Sequence, residues 1–198
     1  MVVVGILAVQ GDYLEHAEIL KEMNIEVKYI KRAEDLNSIN ALIIPGGEST
    51  TIGSILKYRS LGETIARQVE NGLPVMGTCA GAIILASKVV DRVVGETNQY
   101  TLKLMNTRVV RNVFGRQRNS FTTKIDIENI GTVEAAFIRA PGIVDAWSPA
   151  RITGYLNHPF VGRVGVAAEQ ETILALTFHP EITGDKKVYE YFISKAMR

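Results

Sequence analysis

Leu73-Pro74-Val75-Met76-Gly77-Thr78-Cys79-Ala80-Gly81 runs from an apolar, strand-like segment almost directly into a helical one. A strand is expected over Leu73 to Gly77 and a helix over Ala80 to Lys88. Glycines stand two residues before and two residues after Cys79. A turn this sharp forces its central residue into a strained backbone conformation and leaves no room for bulk beside it. The central side chain then stands at the carboxyl end of the strand, at a helix N-terminus.

Upstream, the same alternation repeats. Val2 to Val9 is a continuous apolar run rich in β-branched residues, the mark of a strand covered on both faces. It lacks a basic flank and is shorter than the roughly 20 apolar residues that span a bilayer, so it reads as a buried first strand. Tyr13 to Met23 carries Leu14, Ala17, Ile19, Leu20 and Met23 at helical spacing. Val27 to Ile30 and Ala41 to Ile44 are further strands, the second stopped by Pro45-Gly46-Gly47. Ser49, Thr50 and Thr51 offer caps for a helix to about Tyr58. Leu61 to Glu70 is another helix, closed by Asn71-Gly72. This order predicts an α/β fold: one domain over residues 1–198, with a mostly parallel sheet and helices on both faces. Ligands in such sheets bind outside the carboxyl ends of the strands. Gln10-Gly11, Pro45 to Ser49 and Thr78 to Gly81 all fall there.

The second half changes character. Thr107 to Val110, Thr122 to Ile127, Ala135 to Ile138, Val164 to Ala168 and Ile173 to Phe178 read as strands. Asn119-Ser120, Asn129-Ile130-Gly131 and Glu169-Gln170-Glu171 read as turns. Antiparallel additions to the sheet edge are expected. Lys186 to Met197 closes the chain as a helix with Val188, Tyr191, Phe192 and Ile193 inward.

Composition narrows the function classes. Net charge is +1, from 22 Lys+Arg against 21 Asp+Glu, so no nucleic-acid footprint is expected. Arg108, Arg111, Arg116 and Arg118 form the one local basic cluster. A small anionic ligand fits it better than a polymer; a solvated strand edge is the bland alternative. No membrane segment is expected. A single cysteine excludes an intramolecular disulfide and points to a reducing, cytoplasmic home. One cysteine and three scattered histidines build no zinc cage, and no dinucleotide fingerprint follows the first strand, so neither metal nor cofactor is expected.

Cys79 is the candidate nucleophile. The helix N-terminus favours its thiolate, and the Ala80 N–H is placed to hold an oxyanion. The competing reading, a buried small hydrophobe, ignores the glycine frame. A thiolate needs a base and the base an orienter. His16, beside Glu15 and Glu18, reads as a solvated helix residue. His158 lies in a loop without a nearby carboxylate. His179 follows a strand, and in an extended His179-Pro180-Glu181 segment alternation brings His179 and Glu181 to one side. Pro45-Gly46-Gly47-Glu48-Ser49 lets backbone approach a ligand, with the Gly47 N–H a second oxyanion donor. It is no phosphate loop, because no Gly-Lys-Ser/Thr follows.

Gly77-Thr78-Cys79-Ala80-Gly81 with His179-Pro180-Glu181 resembles the triad (class I) glutamine amidotransferases, whose sheet is flavodoxin-like and three-layered. Val9-Gln10-Gly11, Pro45 to Thr51, Arg111 to Gln117, Phe137-Ile138-Arg139-Ala140-Pro141 and Phe178 to Glu181 resemble the glutaminase subunits of pyridoxal 5′-phosphate synthase. The match runs nearly end to end. Ile182 stands where leucine is usual, and Ser148 to Arg163 is longer than usual. The resemblance implies Cys79 as nucleophile, His179 as base and Glu181 as orienter. It implies that Gly47, Glu48, Ser49, Arg111, Ile138 and Arg139 line the site for L-glutamine. It further implies a synthase subunit as partner, fed with ammonia through a tunnel for vitamin B6 biosynthesis, and a glutaminase poorly active until docked. Two other readings compete: an amide hydrolase serving another synthase or γ-glutamyl compounds, and a regulatory module with Cys79 as a redox sensor. The His179-Glu181 pair argues against a sensor, which needs no base.

Overall fold

The computed structural model describes residues 2–115 and 120–197. The first half comprises β1 (Val3–Leu7), α1 (Tyr13–Glu22), β2 (Glu26–Ile30), a 3-10 turn (Ala33–Ser38), β3 (Ala41–Ile44), α2 (Ser49–Tyr58), α3 (Leu61–Glu70), β4 (Val75–Thr78) and α4 (Ala80–Leu85). Next come β5 (Ala86–Asp91), β6 (Gly95–Glu96), β7 (Met105–Arg111), β8 (Phe121–Ile127), β9 (Gly131–Phe137), β10 (Gly142–Ala146), β11 (Arg151–His158), β12 (Gly162–Gln170) and β13 (Ile173–Leu176). The short α5 (Pro180–Thr183) and α6 (Lys187–Ala196) follow.

The strands run in the order β2-β1-β3-β4-β13-β12-β10-β7-β5-β6, with β11, β8 and β9 branching from β12. The segment from β2 to β13 is parallel throughout. Beyond β13 the neighbours β12 and β10 are antiparallel, as expected for the second half. β7 returns to a parallel pairing with β5.

Strand alternation splits the core into two apolar layers. Val4, Ile6, Ile43, Met76, Leu174 and Leu176 face one layer, together with Ala17 and Leu20 of α1 and Val188, Phe192 and Ile193 of α6. Leu7, Leu42, Ile44, Val75 and Ala175 face the other, with Ile52, Leu56, Leu61 and Ile65 of α2 and α3. Successive strand side chains point to opposite faces. A strand with helices above and below must therefore be apolar at every position, which explains the unbroken Ala41-Leu42-Ile43-Ile44.

Several local expectations need correction. The helix after Cys79 ends at Leu85, not Lys88. Val89 and Val90 instead pair with Val109 and Val110, and the Ser87 hydroxyl donates to the Met105 carbonyl at 2.8 Å. The N-cap of α2 is Glu48 rather than a Ser or Thr; its carboxylate accepts from the Thr51 N–H at 2.9 Å. Leu14 is exposed, and the buried residues of α1 are His16, Ala17, Ile19 and Leu20. Tyr189, not Tyr191, is the fully buried tyrosine of α6. β10 and β11 occupy segments that showed no strand signal. His158 ends β11 and packs against Phe114 and Phe121, with ring centroids 5.3 and 5.5 Å away. Arg116, Gln117, Arg118 and Asn119 lie outside the described residues.

Candidate active site

The β4–α4 junction has the geometry its glycines predicted. Cys79 sits at φ 47°, ψ −101°, a region that L-residues occupy only when the surroundings enforce it. The enforcement is visible. The Cys79 N–H donates to the Leu176 carbonyl of β13 at 2.8 Å. Gly81 passes so close to β3 that a Cβ there would lie 2.0 Å from the Ile44 carbonyl oxygen. Cys79 is buried apart from one side open to a cavity.

His179 reaches that cavity from the end of β13. Its N–H donates to the Ala136 carbonyl at 2.9 Å, which fixes the backbone. Glu181 meets the ring, with Nδ1 and Oε1 2.6 Å apart. The reason differs from the extended alternation expected: Pro180 starts the short helix α5, and its first turn folds Glu181 back onto His179. With Nδ1 engaged by the carboxylate, Nε2 is the nitrogen left for Cys79. Burial disfavours the His179 imidazolium, but hydrogen bonds and charge from Cys79 and Glu181 outweigh it and push the group up to about 11. Burial likewise works against the Glu181 carboxylate, and His16 and His179 outweigh it and hold the group below its ordinary value. A thiol, an imidazole and a buried carboxylate in this sequence can add to a carbonyl and shuttle one proton.

The Pro45–Ser49 loop forms the opposite wall. The Gly46 carbonyl accepts from the Asp12 N–H at 3.1 Å, and Gln10 Oε1 accepts from the Glu48 N–H at 2.8 Å. Because the peptide is planar and trans, the Gly47 N–H points away from the Gly11–Asp12 side. A cavity of about 670 Å³ is lined by Gly47, Glu48, Ser49, Cys79, Ala80, Arg111, Ile138, Arg139 and His179. Every expected substrate residue therefore shares one cavity with the thiol and the imidazole; Glu181 stands behind His179. Arg111 Nη1 donates to Gln99 Oε1 at 2.8 Å, and Nη2 lies 3.6 Å from Glu48 Oε1. Arg139 is held at φ 47°. Of the basic cluster, Arg111 faces the cavity, whereas Arg108 is exposed on β7 outside it.

Asp12 and His16 were missed in the sequence. The Asp12 carboxylate lies 3.5 Å from His179 Nδ1, and burial raises its pKa. His16 is fully buried rather than solvated. Its signal was the i, i+1, i+4 spacing of His16, Ala17 and Leu20, which places it on the inward face. Donor atoms of Asp12, His179 and Glu181 lie within 4.8 Å of one another, the one such metal-like grouping among the described residues. The 2.6 Å hydrogen bond to Glu181 keeps a proton on His179 Nδ1, which leaves that nitrogen no lone pair for a metal. No helix among the described residues is long and apolar enough to cross a membrane.

The SNO glutamine amidotransferase family profile matches residues 6–198. A pyridoxal 5′-phosphate synthase subunit PdxT of Hyperthermus butylicus is 54% identical over 197 residues, covering 99% of this chain and 98% of that one. The subunit of the same name from Aeropyrum pernix is 48% identical, covering 98% and 99%. A crystal structure of a glutamine amidotransferase superposes with a TM-score of 0.88 at 39% identity, covering 98% of this chain and 99% of that one. The Thermotoga maritima PurLQS structure shares the fold, with a TM-score of 0.71 at 15% identity, covering 97% of each chain. With the glycine-framed thiol, the oriented imidazole and a profile match over nearly the whole chain, the protein belongs to the SNO glutamine amidotransferase family.

Proposed function

We propose that this chain hydrolyses L-glutamine to L-glutamate and ammonia, and that the ammonia is passed to a pyridoxal 5′-phosphate synthase subunit for vitamin B6 biosynthesis. The observation that carries the chemistry is the shared cavity: Cys79 and His179 open onto the same space as Gly47, Glu48, Ser49, Arg111, Ile138 and Arg139. The name of the close relatives supports the destination of the ammonia.

Arg111 and Arg139 take the substrate carboxylate, since a guanidinium offers paired donors, and Glu48 takes the α-ammonium. The Cys79 thiolate adds to the side-chain amide carbon. The N–H groups of Gly47 and Ala80 hold the resulting oxyanion. The His179 imidazolium then gives its Nε2 proton to the amide nitrogen as the C–N bond breaks, and ammonia leaves. Neutral His179 next takes a proton from water, whose oxygen attacks the thioester. The C–S bond breaks, releasing glutamate and restoring the thiolate–imidazolium pair. Glu181 keeps Nδ1 protonated and the ring aimed at sulfur through both steps. The residues form one domain, and a lone catalytic thiol suits a reducing cytoplasm.

The test is glutamate and ammonia release by the chain alone and with the synthase subunit of its own organism, using amide-15N glutamine. Activity that rises on docking, with label entering the synthase product, is the expected result. Cys79→Ala should still bind glutamine and release no ammonia; normal turnover by that variant refutes the mechanism.

A further inference from the structure

Among the described residues, His16 is a buried titratable group beside the triad to which the triad chemistry gives no task. It is 0% exposed, on α1, and its side-chain partners are remote in sequence. Its Nδ1 lies 2.7 Å from the Tyr189 hydroxyl of α6. Its Nε2 lies 3.1 Å from the Thr78 hydroxyl, one residue before the thiol, and 3.4 Å from Glu181 Oε2. Glu181 spends Oε1 on His179, and Oε2 is buried without a hydrogen-bond partner of good geometry. His16 Nε2 is the ring nitrogen facing that oxygen.

We propose that His16 is a positioning residue of the glutaminase: a neutral imidazole with its proton on Nε2 that anchors Glu181 Oε2 and so fixes the orientation of His179. The inference rests on the glutaminase reading above. Two observations set the tautomer. Burial lowers His16, with His179 adding to that effect and Glu181, Asp12 and Glu15 opposing it, so the ring is neutral. Glu181 Oε2, an acceptor only, lies 3.4 Å from Nε2 and draws the ring proton there, and the Tyr189 phenol, kept protonated by burial and Glu181, then donates its O–H to Nδ1. The one ring proton of neutral His16 is then on Nε2, facing Thr78 Oγ1 and Glu181 Oε2. Neutrality matters for function. A charged His16 would share the Glu181 charge with His179 and weaken the imidazolium; a neutral donor orients the carboxylate and leaves its charge to His179. The same ring touches Thr78, so a single side chain ties the strand that presents the thiol to the carboxylate that orients the base.

The test compares His16→Gln, whose amide reaches the Nε2 position, with His16→Asn, which stops near Nδ1, in the full chain with its synthase partner. Expected for Asn is a fall in kcat of about tenfold or more, the scale for a mispositioned reacting group, with KM for glutamine unchanged because His16 is outside the cavity. Gln should restore most of it. The chain has one cysteine, so iodoacetamide alkylation of the free chain reads the thiolate–imidazolium pair directly. In the Asn variant its alkaline transition should move to lower pH, because a loosened Glu181 supports the His179 proton less. Asn and Gln variants that match each other in kcat and alkylation profile, in either direction, overturn the proposal. A wild-type complex that releases no ammonia overturns the glutaminase reading instead, and the alkylation comparison still decides the role of His16.

Discussion

Gly81→Ala should damage both stability and turnover, and the structure supplies the size of each. The new methyl carbon would sit 2.0 Å from the Ile44 carbonyl oxygen and 2.9 Å from its carbonyl carbon. Carbon and carbonyl oxygen approach to about 3.3 Å at closest. The start of α4 must therefore retreat from β3 by about 1.3 Å, or β3 must give way. β3 is fully buried between two apolar layers, so the helix is the part that moves. Overpacking of this kind costs about 1–3 kcal/mol, and a clash with backbone belongs at the upper end. For a chain of this length about 3 kcal/mol lowers Tm by roughly 6–12 °C. The retreat carries Cys79 with it, because Cys79 caps the same helix. A displacement of about 1 Å at a reacting atom costs about a hundredfold. Differential scanning calorimetry and glutamate release from the synthase complex measure the two effects. Gly95→Ala is the control: it has open space around it at φ 80°, so it pays only backbone strain of about 1–2 kcal/mol, with turnover unchanged. Gly81→Ala with wild-type Tm and turnover within twofold would refute the close-approach argument.

Glu181→Gln removes the anion that holds His179 protonated. A buried charge-assisted hydrogen bond contributes about 1.5–3 kcal/mol, or about one to two pKa units. His179 is raised by this contact, so its loss moves the alkaline limb of kcat/KM to lower pH; an unmoved limb would show that the carboxylate does not act on the ring. Glu48→Gln weakens the α2 cap, whose carboxylate accepts from the Thr51 N–H and both threonine hydroxyls, and should cost about 1 kcal/mol in urea unfolding. Burial works against the Glu48 carboxylate, and these hydrogen bonds outweigh it and hold the group below its ordinary value. Its contribution is therefore present above the unfolded value and lost as pH falls through the folded one. Equal stability of wild type and Glu48→Gln at neutral pH would contradict the cap.

The parts of the site legible in the sequence are those encoded within a few residues. The elbow follows from two glycines around one cysteine, and the meeting of the His179 ring with the Glu181 carboxylate, the proposed base and orienter, from His179-Pro180-Glu181. The parallel half of the sheet was legible because doubly covered strands are apolar at every position. β10 and β11 escaped for the opposite reason. Their register shifts at Ile143/Asp145 and around Gly154 break the two-residue period that marks a strand. β5 was hidden because Ala86 and Lys88 are good helix formers, and their extended form is imposed by pairing with β7. The Glu48 cap was missed because Ser and Thr lead at that position, whereas here a longer carboxylate reaches the Thr51 N–H and also comes within 3.6 Å of Arg111.

His16 shows why local motifs place the reactive groups but not the field around them. Its partners lie 62 and 173 positions away in the chain, on β4 and α6. Only the packing of α1 and α6 over the same face of the sheet brings them together. In the proposed mechanism the imidazolium beside Cys79 is sustained by Glu181, and Glu181 is buried where its own charge is disfavoured. A buried carboxylate keeps its charge only while its oxygens keep their donors. One donor is His179 itself, which in the proposed mechanism releases a proton during turnover. The other Glu181 oxygen, Oε2, lies 3.4 Å from His16 Nε2, and a neutral ring pinned at Nδ1 by Tyr189 holds still beside it while that happens. On this argument the chemistry of the thiol depends on α1 and α6 as much as on its own elbow, and loosening either helix should reach Cys79 through Glu181 before it unfolds the sheet.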